Sequence, residues 1–114
     1  IKVLEKMRKP SYENFLLFLK KFNSYNAVVG KKQQLIPYFI SAHPACTIED
    51  MKKLARLTSK AHLLTEQVQD FTPTPMTYST AMYYLGYDPY TNEKVYVART
   101  LEEKREQKKF FFKR

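Results

Sequence analysis

Residues 35–71 read LIPYFISAHPACTIEDMKKLARLTSKAHLLTEQVQDF, and the order of patterns along this stretch decides the fold. Leu35 to Ile40 is a short apolar run broken only by Pro37. Apolar residues on both faces are what a parallel strand lying between helices requires. Pro37 has no amide proton to donate, so it fits an edge or the first residues of a strand. A loop follows, Ser41-Ala42-His43-Pro44-Ala45-Cys46. Thr47 with Asp50 three residues later is a capping-box-like helix start, the shorter acid replacing Glu. Met51, Leu54, Ala55, Thr58 and Ala61 then line one face of a helix over about residues 48–62. Val68 to Phe71 is the next short strand. A strand, a helix and a second strand joined at these lengths make a parallel crossover, which is nearly always right-handed. The expected class is therefore α/β, built on a parallel β-α-β unit.

Outward from this unit, Pro10-Ser11 opens a helical pattern towards the N-terminus. Ser11 is placed to cap the first turn, and Glu13 suits the positive end of the helix dipole. Phe15, Leu19 and Phe22, joined by Leu16 and Phe18, form a broad apolar stripe on a helix over about residues 11–27. Gly30 supplies a left-handed stop, and Lys31-Lys32 begin a polar link. On the other side, Thr72-Pro73-Thr74-Pro75 cannot be helical, because each Pro disfavours helical geometry in the residue before it. Thr77 is expected to cap a short helix running through Leu85 and stopped by Gly86. Asp88-Pro89 and Thr91-Asn92 mark turns, Lys94 to Val97 reads as a brief strand, and Thr100 with Glu103 is a fuller capping box for a last helix. That helix has a weak apolar face, while Phe110-Phe111-Phe112 need shelter. The expected organisation is residues 1–75 as β/α units and residues 76–114 as a mostly helical C-terminal extension.

Composition sets the outer limits. A chain of 114 residues has room for one modest core. Nine Tyr and eight Phe supply much buriable area despite a mean hydropathy of -0.52. No apolar run approaches the roughly 20 residues needed to span a bilayer, and no charged-then-apolar leader points to secretion. A single Cys excludes an internal disulfide and fits a reducing cytoplasm. The chain begins at Ile1 without an initiator Met, so a longer parent is expected. Its net charge of +9 is densest at the ends. Such an excess would attract nucleic acid or acidic membrane, but solvated termini produce the same excess, and that reading is favoured.

Four segments carry a resemblance. They are Ile36-Pro37-Tyr38-Phe39-Ile40-Ser41-Ala42-His43-Pro44, Gln67-Val68-Gln69-Asp70-Phe71-Thr72-Pro73-Thr74-Pro75-Met76-Thr77, Ser79-Thr80-Ala81-Met82-Tyr83-Tyr84 and Glu93-Lys94-Val95-Tyr96-Val97. In this order and spacing they resemble the C-terminal portion of the YgiQ-type radical S-adenosylmethionine proteins, over about residues 11–99. The resemblance implies a parent with a partial β/α barrel, in which a four-iron, four-sulfur cluster cleaves S-adenosylmethionine reductively. It also implies that the cluster sits on a Cys-x-x-x-Cys-x-x-Cys loop near the start of the barrel. Here Cys46 stands alone, so no cofactor is expected in this chain, and both cluster and S-adenosylmethionine are implied for the parent. Where the family has a His-Pro-Gly loop, this sequence has His43-Pro44-Ala45, and Ala tolerates left-handed geometry poorly.

Ligands of α/β sheets and barrels sit at the carboxyl ends of the strands. For these two strands the ends are Ser41 to Cys46 and Phe71 to Met76, so Ser41, His43, Cys46, Thr72 and Thr74 are the candidate substrate-rim residues. His43 is the candidate general acid or base, its intrinsic pKa lying near neutrality. A loop histidine bonded to backbone is the bland alternative. His43 and Cys46 are three apart, but no second pair completes a metal site, and none is expected. Cys46 precedes a helix N-terminus, which favours thiolate, yet such a residue is more often a small buried apolar one. The tyrosines Tyr83, Tyr84, Tyr87 and Tyr90 could stack on bases, though their context favours core or docking contacts.

The expectation is thus a fragment of a radical S-adenosylmethionine enzyme, inactive by itself, contributing rim loops but not the cluster. The competing reading is a basic nucleic-acid-binding module. Expected partners are the remainder of the parent barrel and a second copy paired through an exposed sheet edge, with no membrane.

Overall fold

The computed structural model describes residues 2–63 and 67–112. Two compact units are present, residues 1–35 and residues 36–114. The extension expected from residue 76 lies inside the second unit.

The first unit holds helix α1, Lys2–Lys6, and helix α2, Tyr12–Val29. Ser11 occupies the N-cap position in extended conformation, but its side chain accepts no capping hydrogen bond from the helix, contrary to expectation. Glu13 holds its carboxyl below the usual range through its backbone amide and the Ser11 hydroxyl. At the other end Gly30 is left-handed, with φ 67°, and the Lys31 amide donates to the Asn26 carbonyl at 3.1 Å. That closure is the Schellman type, and only a residue without Cβ adopts it freely. Phe15, Leu19 and Phe22 are half-buried as their spacing predicts, whereas Leu16, Leu17 and Phe18 are exposed. Neither helix of this unit has a buried residue.

The second unit begins with strand β1, Tyr38–Ser41, which starts directly after Pro37 and its missing donor. Helix α3, Ile48–Lys60, crosses over to strand β2, Gln67–Asp70. The two strands pair in parallel, Tyr38 opposite Gln67 and Ser41 opposite Asp70. The α/β class and the β-α-β unit are therefore present as read from the sequence. Thr47 and Asp50 form a complete capping box: the Asp50 amide donates to the Thr47 hydroxyl oxygen at 3.3 Å, and the Thr47 amide donates to the Asp50 carboxylate at 3.0 Å. Met51 and Thr58 are the buried members of the predicted α3 face. The faces of β1 are less covered than a sandwiched strand requires, with Tyr38 54% exposed. Two strands and one crossover supply cover for only part of that surface.

Helix α4, Tyr78–Leu85, is capped by Thr77, whose side chain accepts from the Thr80 amide, and it stops at the left-handed Gly86. Residues 94–97 do not form the expected strand. Only an isolated antiparallel bridge joins Lys94 to Tyr87, and the segment is held by single bonds to two different partners. The Val95 amide donates to the Gly86 carbonyl and the Ala45 amide to the Tyr96 carbonyl, each at 2.9 Å. A segment divided between two partners has no one strand to run beside, which is why the β pattern yields no ladder.

Helix α5, Leu101–Lys108, opens with the Thr100–Glu103 capping box and packs against α3 and β1. Beyond it Phe111 finds shelter against Phe39, ring centroids 5.4 Å apart, while Phe112 remains exposed. The apolar core is Ala42, Ala45, Cys46, Met51, Met82, Val95 and Ala98. Ala42, Ala45 and Cys46 come from the carboxyl end of β1, Met51 from α3, and Met82, Val95 and Ala98 from the extension.

Candidate strand-end site

Parallel pairing brings the carboxyl ends of β1 and β2 together, so Ser41 and Asp70 lie side by side. The Ser41 hydroxyl donates to Asp70 Oδ1 at 2.9 Å, and Lys108 Nζ on α5 donates to Asp70 Oδ2 at 3.1 Å. The Phe71 amide continues the pairing with a 2.7 Å bond to the Ser41 carbonyl. One carboxylate thus joins both strands to the last helix.

The loop beyond β1 is buried along its whole length, from Ser41 to Cys46. His43 is 3% exposed. Its Nδ1 lies 2.9 Å from the Pro44 carbonyl oxygen and its Nε2 3.0 Å from Ser79 Oγ. A carbonyl can only accept, so this bond places a proton on Nδ1, and Nε2 of the neutral ring then accepts from Ser79. The ring also meets Phe71 edge-on, centroids 5.1 Å apart. His43 is in this state a buried, multiply bonded side chain facing the start of α4.

Two residues of the loop have left-handed backbone without being glycine: Ala42 at φ 59° and Ala45 at φ 74°. The turn that a glycine would make easily is therefore made by Ala45 at some cost. Gln107 holds the loop in that shape. It has no exposed surface; its Oε1 accepts from the Ala42 amide at 2.7 Å, and its Nε2 donates to the Cys46 carbonyl at 2.8 Å. One side chain satisfies a backbone donor at one end of the loop and an acceptor at the other.

Cys46 is 3% exposed, and its thiol is pushed up to about 12, first by burial and then by the Asp50 carboxylate. A thiol so far from ionisation is no nucleophile near neutral pH. Of the five sequence-derived rim residues, Ser41, His43 and Cys46 are interior and Thr72 and Thr74 are exposed. The Thr74 carbonyl accepts from the hydroxyls of Thr77 and Thr80, at 2.8 and 2.7 Å, which fixes the Thr-Pro-Thr-Pro connector to the head of α4. After it Met76 is fully exposed with φ 63°.

Tyr83 is shielded on several sides: Phe71 lies 5.6 Å from its ring, with Arg99 at 5.3 Å and Lys104 at 5.8 Å. Arg99 Nη2 also donates to the Tyr83 carbonyl at 2.7 Å, closing the C-terminus of α4. Tyr84 and Tyr90 are exposed. Among the described residues no group of three His, Cys, Asp or Glu side chains could hold a metal ion. Also among them, no helix is long and apolar enough to cross a membrane.

Sequence reasoning missed Gln107, Asp70, Lys108 and Ser79 as parts of this site. Backbone accounting offers one signal for Gln107, since the amides and carbonyls of a buried loop between strand and helix must find partners somewhere.

Residues 66–113, which include nearly all of the extension, match a family described as a domain of unknown function, DUF3362. Across almost the whole chain the similarity is to UPF0313 proteins. The chain is 57% identical over 97% of its length to the UPF0313 protein of Porphyromonas gingivalis and 53% identical over 97% to that of Bacteroides thetaiotaomicron. It is also 52% identical over 90% of its length to the UPF0313 protein of Methanocella arvoryzae. The chain spans 18% of the length of the first two of these relatives and 17% of the third. No solved structure matches it.

Proposed function

We propose that this chain is the C-terminal part of a longer UPF0313-type radical S-adenosylmethionine enzyme, to which it contributes the last strand-end loops and their cover. The observation that carries the reading is the parallel β1–β2 pair, whose carboxyl ends meet at Ser41 and Asp70. Parallel α/β proteins bind ligands at that end of the sheet. High identity over nearly the whole chain to proteins more than five times as long supports the placement within a larger protein. The resemblance described above supports the chemistry.

The donor set of this chain does not fit an iron-sulfur cluster. Such clusters are held by several thiolates, and the chain has one Cys, buried and protonated. In this reading the cluster ligands belong to other parts of the longer protein. The open edges of the β1–β2 pair receive further strands of that protein, or a second copy when the chain is alone. A single unpaired thiol suits a reducing cytoplasm.

Two measurements test the proposal together. The full-length Porphyromonas gingivalis relative, reconstituted anaerobically with iron and sulfide, should show cluster absorbance and release 5′-deoxyadenosine from S-adenosylmethionine on reduction. The 114-residue chain should give no calorimetric binding signal with S-adenosylmethionine. Tight binding by the chain alone, or a reconstituted full-length protein that never cleaves S-adenosylmethionine, would sink the reading. Self-association of the chain should appear as a sedimentation coefficient that rises with concentration; a strictly monomeric profile would remove the edge-pairing part alone.

A further inference from the structure

Helix α5 combines two properties that rarely go together. It sits on the loop that ends β1, yet Gln107 is its one buried residue among those described. Leu101, Glu102 and Arg105 are exposed. It packs on α3 and β1. The side-chain contacts that fasten it include the two Gln107 hydrogen bonds, the Lys108–Asp70 ion pair at 3.1 Å with each side chain about one third exposed, Lys104 over the Tyr83 ring, and Phe111 against Phe39 just beyond the helix. Segments fixed by few buried apolar contacts open locally at lower free energy than the body of a fold.

The loop beneath has the opposite character. Ala42 and Ala45 hold left-handed backbone that alanine adopts at a cost. Gln107 bonds to Ala42 directly and to the carbonyl of Cys46, next to Ala45. Remove the amide, and both ends of the loop lose a partner while two residues gain a reason to relax. The loop itself carries Ser41 and His43, and Asp70 stands beside Ser41 at the carboxyl end of the sheet.

From these features we infer that α5 is a latch over the strand-end site, with Gln107 as its bolt. Closed, it keeps the His43 loop buried and left-handed. Released, it frees the already partly exposed Asp70 carboxylate from Lys108 and lets the loop open solvent and ligand access to the buried Ser41 and His43. The inference concerns the regulation of the strand-end site proposed above, but it is read without any activity, so it fails or stands independently of the radical chemistry.

The chain's one thiol reports the latch. Cys46 is 3% exposed and its carbonyl is bonded to Gln107, so an aromatic disulfide reagent reaches the sulfur only when the loop opens. At fixed pH and below the urea concentrations that unfold the protein, labelling of the unaltered chain should be slow and nearly independent of urea, as for a local opening. Gln107→Ala should raise the rate about tenfold to a hundredfold, since two buried hydrogen bonds are lost. A rate in the unaltered chain that follows global unfolding across the urea series would overturn the latch, as would an unchanged rate in a folded Gln107→Ala chain. Should that variant not fold, hydrogen exchange on the unaltered chain decides. The Ala42 amide, bonded to Gln107, must exchange well before the Phe71 amide, bonded to Ser41. Equal protection of the two amides overturns the inference.

Discussion

Met82→Ala should lower the unfolding free energy of the second unit by about 3 kcal/mol, within the range for emptying a buried Met site. Met82 has no exposed surface and packs with Ala45 and Val95, with Tyr78 against the same cluster. It is therefore the peg by which the extension grips the loop after β1. In a cooperative unit of this size the loss corresponds to a fall in melting temperature of about 10–20 °C, readable by circular dichroism. Met82→Leu keeps the volume and should cost less than about 1.5 kcal/mol. A loss below about 0.5 kcal/mol for the alanine variant would show that the site collapses around the cavity, and that Met82 is not the anchor described.

Alkaline pH should expose the second large effect. The Cys46 thiol has an ordinary value of 9.0 and is pushed up to about 12 in the folded chain. Its protonated form is therefore favoured by folding. Below the lower value both states hold the proton, and the thiol contributes no pH dependence. Between the two values the unfolded chain gives up its proton and the folded chain does not, so stability falls as pH rises. The slope is about 1.4 kcal/mol per pH unit, or about 4 kcal/mol across the window. Tyrosines and lysines titrate in the same range, so the informative quantity is the difference between the unaltered chain and Cys46→Ala. Urea midpoints of the two should diverge steadily above about pH 9. Parallel curves would mean that the folded thiol ionises normally and that burial does not hold it.

Local patterns carried most of the fold. Both capping boxes, at Thr47–Asp50 and Thr100–Glu103, were legible because they use residues three apart with a fixed geometric purpose. Pro37 was read among the first residues of a strand from Leu35, and β1 instead begins just after it, at Tyr38, and runs on to Ser41. Helix stops at Gly30 and Gly86 follow from left-handed geometry alone. What escaped the sequence depends on distant partners. Residues 94–97 have strand-like alternation, but the structure divides their hydrogen bonds between Gly86 and Ala45. Gln107 is the one uncharged polar residue in a helix of charged ones, but that alone does not say it is buried; its burial is decided by a loop 65 residues away. The strand ends lie together as read, while the cover over Ser41, His43 and Cys46 was not legible, because much of it comes from distant elements, Ser79 on α4 against His43 and Gln107 on α5 against the loop backbone. The apolar periodicity of α2 was also real, yet it leaves Leu16, Leu17 and Phe18 exposed. Periodicity identifies a helix but not its cover.

Ala45 bears on how substitutions at this turn should be interpreted. Its left-handed backbone disfavours a side chain, but its methyl belongs to the cluster with Met82 and Val95. Strain of the order of 1 kcal/mol and burial of one methyl, about 0.8 kcal/mol, nearly cancel. Evolutionary drift between glycine and alanine at this position is therefore close to free, and such an exchange by itself carries no message about a change of substrate.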